Sequence, residues 1–270
     1  MRRPSPSAVR WTLLALLLVL WELMPQLDMV PELFLPSLSK TLTVLWQDRA
    51  EYGENLLVTL GEVGISMLIA CGAGILVGAL VGGIAVLRNL MLPVFSSLYA
   101  VPIVILYPIF TAWFGIGSES KIAFAGIYGF FPVMLSTAAG IRTIDPQYIL
   151  AARSMGATLA QQITRVIIPA SIPTVLAGLR LGGALTIIGV VVSEMLTASA
   201  GIGYLVSRYR TILDSAHVFA GILMILLLSI LFDLLARWVE RRTLVWQTAG
   251  RRGPSTATET NNQLPAPAPV

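Results

Sequence analysis

The chain has 270 residues, 56% of them apolar and only 12% charged, where a soluble domain carries about 25% charged residues. With a mean hydropathy of +0.81, that much apolar surface exceeds what a soluble interior hides, so lipid must be the solvent for much of the chain. A single cysteine, Cys71, excludes an intrachain disulfide, and a net charge of +4 is too small a surplus to read as a nucleic-acid surface.

Two chemistries are excluded as well. A Walker-type phosphate loop needs Gly-Lys followed by Ser or Thr, and the two lysines, Lys40 and Lys121, each follow a serine. One histidine, His217, supports neither an HExxH zinc site nor a bis-histidine haem.

The N-terminus carries Arg2, Arg3 and Arg10 ahead of an apolar run. It imitates a signal peptide, but Trp21, Glu22, Leu23, Met24 and Pro25 offer no small-x-small cleavage site, which predicts an uncleaved anchor. Residues 1–10 read as a cytoplasmic tail and Trp11 to Leu27 as the first span, with Glu22 inside it. In the following segment, 28–54, Leu38, Leu42, Leu45 and Trp46 lie at helical spacing behind Pro36-Ser37, which predicts a short interfacial helix.

Charge spacing marks the next spans, since about 20 apolar residues cross a bilayer as a helix. Uncharged stretches of 25, 30, 20 and 18 residues lie between Glu62 and Arg88, Arg88 and Glu119, Lys121 and Arg142, and Asp214 and Asp233. A further span, Thr174 to Thr197, has Arg180 near one end and Glu194 near the other, both placed to snorkel. The fold class is an all-α integral membrane protein of about six transmembrane helices, its membrane domain over 11–249. The tail 250–270, rich in Pro, Thr, Ala and Asn, reads as disordered and cytoplasmic. Thirteen of the eighteen lysines and arginines fall on the inner side if both termini are cytoplasmic, and this asymmetry sets the orientation.

Within the second span Ser66, Ala70, Gly74, Gly78 and Gly82 recur every four residues, giving a face almost without side chains. Such a face lets another helix backbone approach closely, either within the subunit or across a dimer seam. Pro93, Pro102, Pro108 and Pro132 interrupt spans three and four. Bent helices free carbonyls that neighbours or a water-lined cavity must meet.

The longest inner loop, 142–173, reads as helix, break, helix. Asp145-Pro146 is an N-cap followed by proline at the first helical position, and Gly156 stands where a helix end takes a left-handed residue. A second stretch, Leu159 to Ile168, ends before Pro169, after which Ser171 and Pro173 start the next span. Two short projecting helices read as a docking surface; the plain alternative is a pair lying on the headgroups.

The stretch Leu150-Ala151-Ala152-Arg153-Ser154-Met155-Gly156, followed by Val166, Ile168 and Pro169, resembles the cytoplasmic-loop signature of binding-protein-dependent ABC importer permeases of the type I, MetI-like class. That signature runs Glu-Ala-Ala, three residues, Gly, nine residues, Ile, one residue, Leu, Pro. Leu150 stands in place of the glutamate. Phe131-Pro132, Gly140-Ile141-Arg142 with Asp145, Gly178-Leu179-Arg180, Glu194 and Gly201-Ile202-Gly203-Tyr204 are similar to the nitrate, sulfonate and taurine branch. The resemblance spans about 55–240. It implies that Leu150, Ala151, Ala152, Ser154, Gly156 and Pro169 form the element that couples to a separate ATPase. It also implies two such ATPase subunits, which use ATP and Mg, a second permease copy as a homodimer, an external substrate-binding protein and a bacterial inner membrane.

The expected activity is therefore ATP-driven import of a small solute, with no cofactor, metal or nucleic acid bound by this chain. The branch implies an anion such as a sulfonate, taurine or nitrate; neutral or cationic vitamin precursors are the alternative cargo. Glu194 reads as a structural or gating acid at the outer mouth of the pathway. An ion-driven secondary transporter is disfavoured by the absence of an internal repeat and of mid-span charge. A Ser–His intramembrane hydrolase using His217 lacks a Gly-x-Ser-Gly motif.

Overall fold

The computed structural model describes residues 5–250; residues 1–4 and 251–270, which hold most of the expected disordered tail, lie outside the described residues. Helix α1, Pro6–Gln26, starts ahead of the expected first span because Ser5 caps it, its Oγ accepting from the Ala8 N–H, with proline at the first position. Helix α2, Leu38–Gln47, is the expected short helix, capped by Ser37.

Helix α3, Arg49–Gly83, is 35 residues long, so Glu62 lies well inside it rather than at its end. Beyond an extended Ile84 come α4, Ala85–Tyr99, a 3-10 turn over Ile103–Leu106, and α5, Tyr107–Phe114. The third span expected between Arg88 and Glu119 is thus a bent pair, folded by 84° across its break. Pro102 disfavours helix at Val101, and Pro108 sits within the first turn of α5. Tyr107 and Phe110 of α5 then turn onto Phe124 of α6, Ser118–Arg142, with the Tyr107 and Phe124 rings edge-on at 5.1 Å.

After α6 come α7, Pro146–Ser154, and α8, Leu159–Gln162. Here the structure corrects the expectation of a break at Pro169. A π turn, Ile163–Ile167, joins α8 directly to α9, Ile168–Thr197, in one run of 39 residues. The Ile168 N–H reaches back five residues to the Ile163 carbonyl, and this wider turn takes up the register next to Pro169, which has no N–H to give. Helices α10, Ile202–Thr211, and α11, Ser215–Gly250, complete the chain. Among the described residues five helices are long and apolar enough to cross a membrane, and the count is six if the bent pair is taken as one span.

The core is α3, α6 and α9. The small-residue face of α3 lies on α6 so closely that side chains have no room. A Cβ on Gly78 would sit 2.5 Å from the Met134 carbonyl oxygen, and one on Gly82 would sit 2.8 Å from Ala138 Cα. Ser66 and Ala70 on the same face are fully buried. Where α9 also meets α6, a Cβ on Gly182 would sit 2.7 Å from the Gly129 carbonyl oxygen. Lipid tails offer no hydrophobic drive between helices, so dispersion at this short range holds the three together. The same face admits a direct test. Gly78→Ala should lower detergent-solubilised stability by about 1–3 kcal/mol, read as a thermal melt. Gly72→Ala, on the opposite side of α3 with nothing within 4 Å of the new Cβ, should leave the melt unchanged.

Candidate functional site

Two places in the fold concentrate specific polar geometry, at opposite ends of the α8–α9 run. The first is the α7–α8 corner. Asp145 Oδ1 accepts from the Gln147 N–H at 2.9 Å and so caps α7. The end of α7 closes in a Schellman arrangement: Gly156 N–H donates to the Arg153 carbonyl and Ala157 N–H to the Ala152 carbonyl. Gly156 has φ +77°, where a Cβ is strained although no atom lies within 4 Å of it. Immediately afterwards Thr158 and Gln161 form a reciprocal capping box that starts α8. Gln162 ties the two arms, its Nε2 donating to the Ala157 carbonyl and its Oε1 accepting from Arg153 Nε.

The corner is rigid, yet its outer surface is apolar and uncovered. Leu150, Met155 and Leu159 are 65%, 81% and 68% exposed, and Tyr148 is exposed beside them. Of the residues that the signature singles out, Leu150, Ala151, Ser154 and Gly156 lie on this surface, and Pro169 is exposed beyond the π turn. Ala152 is turned inward and buried, so it packs the corner rather than facing outward.

The second place is the start of α10. Its first N–H groups lack partners inside the helix, and side chains from α3 and α9 accept from three of them. Gly201 N–H donates to Asn55 Oδ1 at 2.7 Å, Ile202 N–H to Thr59 Oγ1 at 2.9 Å, and Gly203 N–H to Glu194 Oε2 at 2.8 Å. Thr59 Oγ1 in turn donates to Glu194 Oε1 at 2.8 Å. Glu194 is 1% exposed, so the expected snorkelling toward headgroups is corrected: the carboxylate sits at the positive end of α10. Gly201, at φ +111°, and Gly203 lie against it. A Cβ on Gly203 would fall 2.8 Å from Glu194 Cβ, and one on Gly201 would fall onto the carboxylate itself.

Arg180 does not snorkel either. Its Nε donates to Asp233 Oδ1 of α11 at 2.8 Å. Glu62 and Lys121, which bracket spans in the sequence, form a buried ion pair between α3 and α6, with Ser118 Oγ donating to Glu62 Oε1 at 2.7 Å. Nothing in the local pattern marks this pair, because its members are far apart in the chain. His217 has Nε2 3.0 Å from Asp48 Oδ2 and Nδ1 2.8 Å from Asp214 Oδ2, so both ring nitrogens face carboxylates rather than a nucleophile. The Tyr209 ring stacks on it, and its hydroxyl donates to Glu51 Oε2 at 2.6 Å. Burial, reinforced by Glu51, pushes that hydroxyl up to about 12, which keeps it a donor.

With this geometry in view, comparison with known proteins assigns the class. The sequence profile of the family described as binding-protein-dependent transport system inner membrane component matches residues 72–245. The putative aliphatic sulfonates transport permease protein SsuC of Bacillus subtilis is 30% identical over 92% of each chain. The taurine transport system permease protein TauC of Escherichia coli is 32% identical over 86% of this chain and 87% of its own. The formylaminopyrimidine transport permease protein ThiX of Halalkalibacterium halodurans is 30% identical over 86% of this chain and 93% of its own. A solved structure of the MetNI methionine ABC transporter shares the fold, with a TM-score of 0.60 at 18% identity, covering 74% of this chain and 98% of that one. The chain belongs to the binding-protein-dependent inner membrane component family: it is a multi-pass permease subunit of an ABC importer.

Glu194→Gln keeps one acceptor oxygen for Thr59 but sets an amide against the Gly203 N–H. Loss of a hydrogen bond to a carboxylate costs about 1.5–3 kcal/mol. This variant should assemble, melt earlier and transport more slowly, whereas Gly201→Ala, which combines backbone strain with a clash, should be worse on both measures. Unchanged uptake and melting in Glu194→Gln would reject the capping role.

Proposed function

We propose that this chain forms the membrane path of an importer powered by a separate cytoplasmic ATPase subunit, which docks on the α7–α8 corner through the surface around Leu150, Ala151, Ser154 and Gly156. The observation that carries the reading is the pairing of a rigid corner with an uncovered apolar surface (Tyr148, Leu150, Met155 and Leu159) at the polar end of a membrane bundle. Exposed apolar patches of this kind mark partner contacts. In the proposed complex two copies of this chain meet two ATPases, and an extracytoplasmic binding protein delivers cargo at the α10 end. ATP and Mg belong to the ATPase; this chain binds no cofactor. Both termini face the cytoplasm, the membrane domain occupies 11–249 with its core at about 55–240, and the chain resides in a bacterial inner membrane.

Likeness to the sulfonate and taurine permeases favours a small organic or inorganic anion as cargo. Likeness to the formylaminopyrimidine permease gives a vitamin precursor as the second reading.

Orientation is read by reporter fusions after Glu240, which should be active only with a reporter that works in the cytoplasm. Activity of an exported reporter there would reject the topology. Coupling is read at Gly156. Without a steric neighbour, a side chain there costs about 1 kcal/mol as Ala through backbone strain alone, and more when β-branched. That is too little to unfold the bundle, but enough to tilt a short helix held by its caps. Gly156→Val should insert and dimerise normally, yet lose ATPase co-purification or binding-protein-stimulated hydrolysis, and with it the sulfonate or taurine uptake expected of the unmodified complex. Retention of all of these would reject the corner as the coupling element.

A further inference from the structure

At the α7 end of the bundle a cavity of about 550 Å³ opens between the α3–α4 junction, the end of α6 and the side of α7. Three guanidinium groups from three different elements border it: Arg88 of α4, Arg142 of α6 and Arg153 of α7. No carboxylate among the described residues lies within 4 Å of any of them, whereas Arg180, Arg208 and Arg237 each have one. Two of the three are oriented by neutral groups. Arg88 Nη1 donates to the Gly82 carbonyl at 3.2 Å, and Arg153 Nε donates to Gln162 Oε1 at 3.3 Å. Their remaining N–H donors are left for another acceptor. The rest of the wall is mainly apolar, with Ile141 and Ile149 beside the Gln147 amide.

Arg142 and Arg153 are exposed and Arg88 is half-buried, so together they give one cavity a basic, reachable lining, and the guanidinium fork matches phosphate oxygens in pairs. The cavity also lies where two spans end, α3 at Gly83 and α6 at Arg142, and the ends of spans are where headgroups are met. Its isoleucine wall suits the glycerol and first methylenes of a lipid better than a free ion. We propose that this cavity binds the phosphate head of an anionic phospholipid, held by Arg88, Arg142 and Arg153. The lipid would wedge the α3–α4 junction against the base of the α7–α8 corner, where basic pockets on the cytoplasmic side collect anionic headgroups. The cavity shares Leu150 with the docking surface proposed above, and the leaflet that supplies the lipid rests on the orientation proposed there. Binding in a nanodisc is the same for either orientation, so failure of that reading leaves this result standing.

The test uses the full-length chain, assembled with its ATPase, in nanodiscs of phosphatidylcholine with and without phosphatidylglycerol. Lipid retained after transfer to detergent is counted by native mass spectrometry. The unmodified complex should retain phosphatidylglycerol in preference to phosphatidylcholine. An Arg88→Gln/Arg142→Gln variant should retain it roughly tenfold less, while Arg88→Lys/Arg142→Lys, which keeps the charge but loses the fork, should fall between them. A thermal melt accompanies each variant. Should the glutamine variant misfold, the preference of the unmodified complex and the lysine variant still decide. Equal retention of the two lipids by the unmodified complex overturns the proposal, as does retention unaffected by the substitutions. Displacement of the lipid by inorganic phosphate would assign the cavity to a free anion instead. Loss of ATPase with phosphatidylglycerol fully retained would assign the arginines to the protein partner.

Discussion

Close approach of backbones along α3, α6 and α9 is the constraint from which the remaining architecture follows. In water, burial of side chains drives helices together; in lipid it does not, and contact must come from dispersion at short range. Glycine and other small residues make that range attainable, and they recur on every facing surface of the three helices. Once the three lie in contact, large side chains have to go elsewhere. Leu68, Leu76 and Leu80 of α3 point outward, as do most large side chains of the bent pair, which gives only Ile103, Tyr107 and Phe110 to a buried aromatic cluster with Phe124 and Phe131 of α6.

Tight packing also gives a place for charge. Glu62 and Lys121 are 3% and 5% exposed in their side chains, a depth at which either alone would be costly and removal of one partner typically costs 3–5 kcal/mol. Two other in-span acids are handled alike. Glu22 of α1 accepts from the Ser39 N–H in the first turn of α2 at 2.9 Å, and Glu194 of α9 accepts from the first turn of α10. Each acid joins a long apolar helix to the N-terminus of a short one, where the unpaired N–H groups and the helix dipole favour a carboxylate. The short helices α2 and α10 are thereby fixed to the spans by charge as well as by apolar packing, which for α10 buries Ile202, Leu205 and Val206.

What was readable in the sequence divides along chain distance. The Ser66-to-Gly82 stripe, the Ser37 and Asp145 caps and the left-handed Gly156 are all written within a few residues of one another, and spacing alone exposed them. Glu194 reads in the sequence only as a structural or gating acid placed to snorkel, because Thr59 of α3, which donates to it, lies more than 130 residues away and only folding brings that residue to the start of α10. The Glu62–Lys121 pair was hidden for the same reason, and both residues served as span boundaries. Pro169 was read as a stop because proline interrupts an α-helix. A π turn just before it removes the conflict, and no composition signal distinguishes that arrangement from a break.

The continuity at Pro169 bears on how the two polar places communicate. A run of 39 residues, Leu159–Thr197, is about 58 Å long at 1.5 Å per residue, and it carries the α7–α8 corner at one end and Glu194 at the other. Had the chain broken at Pro169, a displacement of the corner would have been absorbed in a flexible joint. With α8 and α9 continuous, the corner is stiffened on one side by the Schellman turn and capping box and fastened on the other to a packed helix. The π turn departs from regular α geometry, and it lies at the corner end of the run, away from Glu194. A shift of α9 against α3 changes the distance from Glu194 to Thr59, and the start of α10 depends on both. The α10 cap, which takes acceptors from both α3 and α9, therefore depends on how those two helices sit against each other.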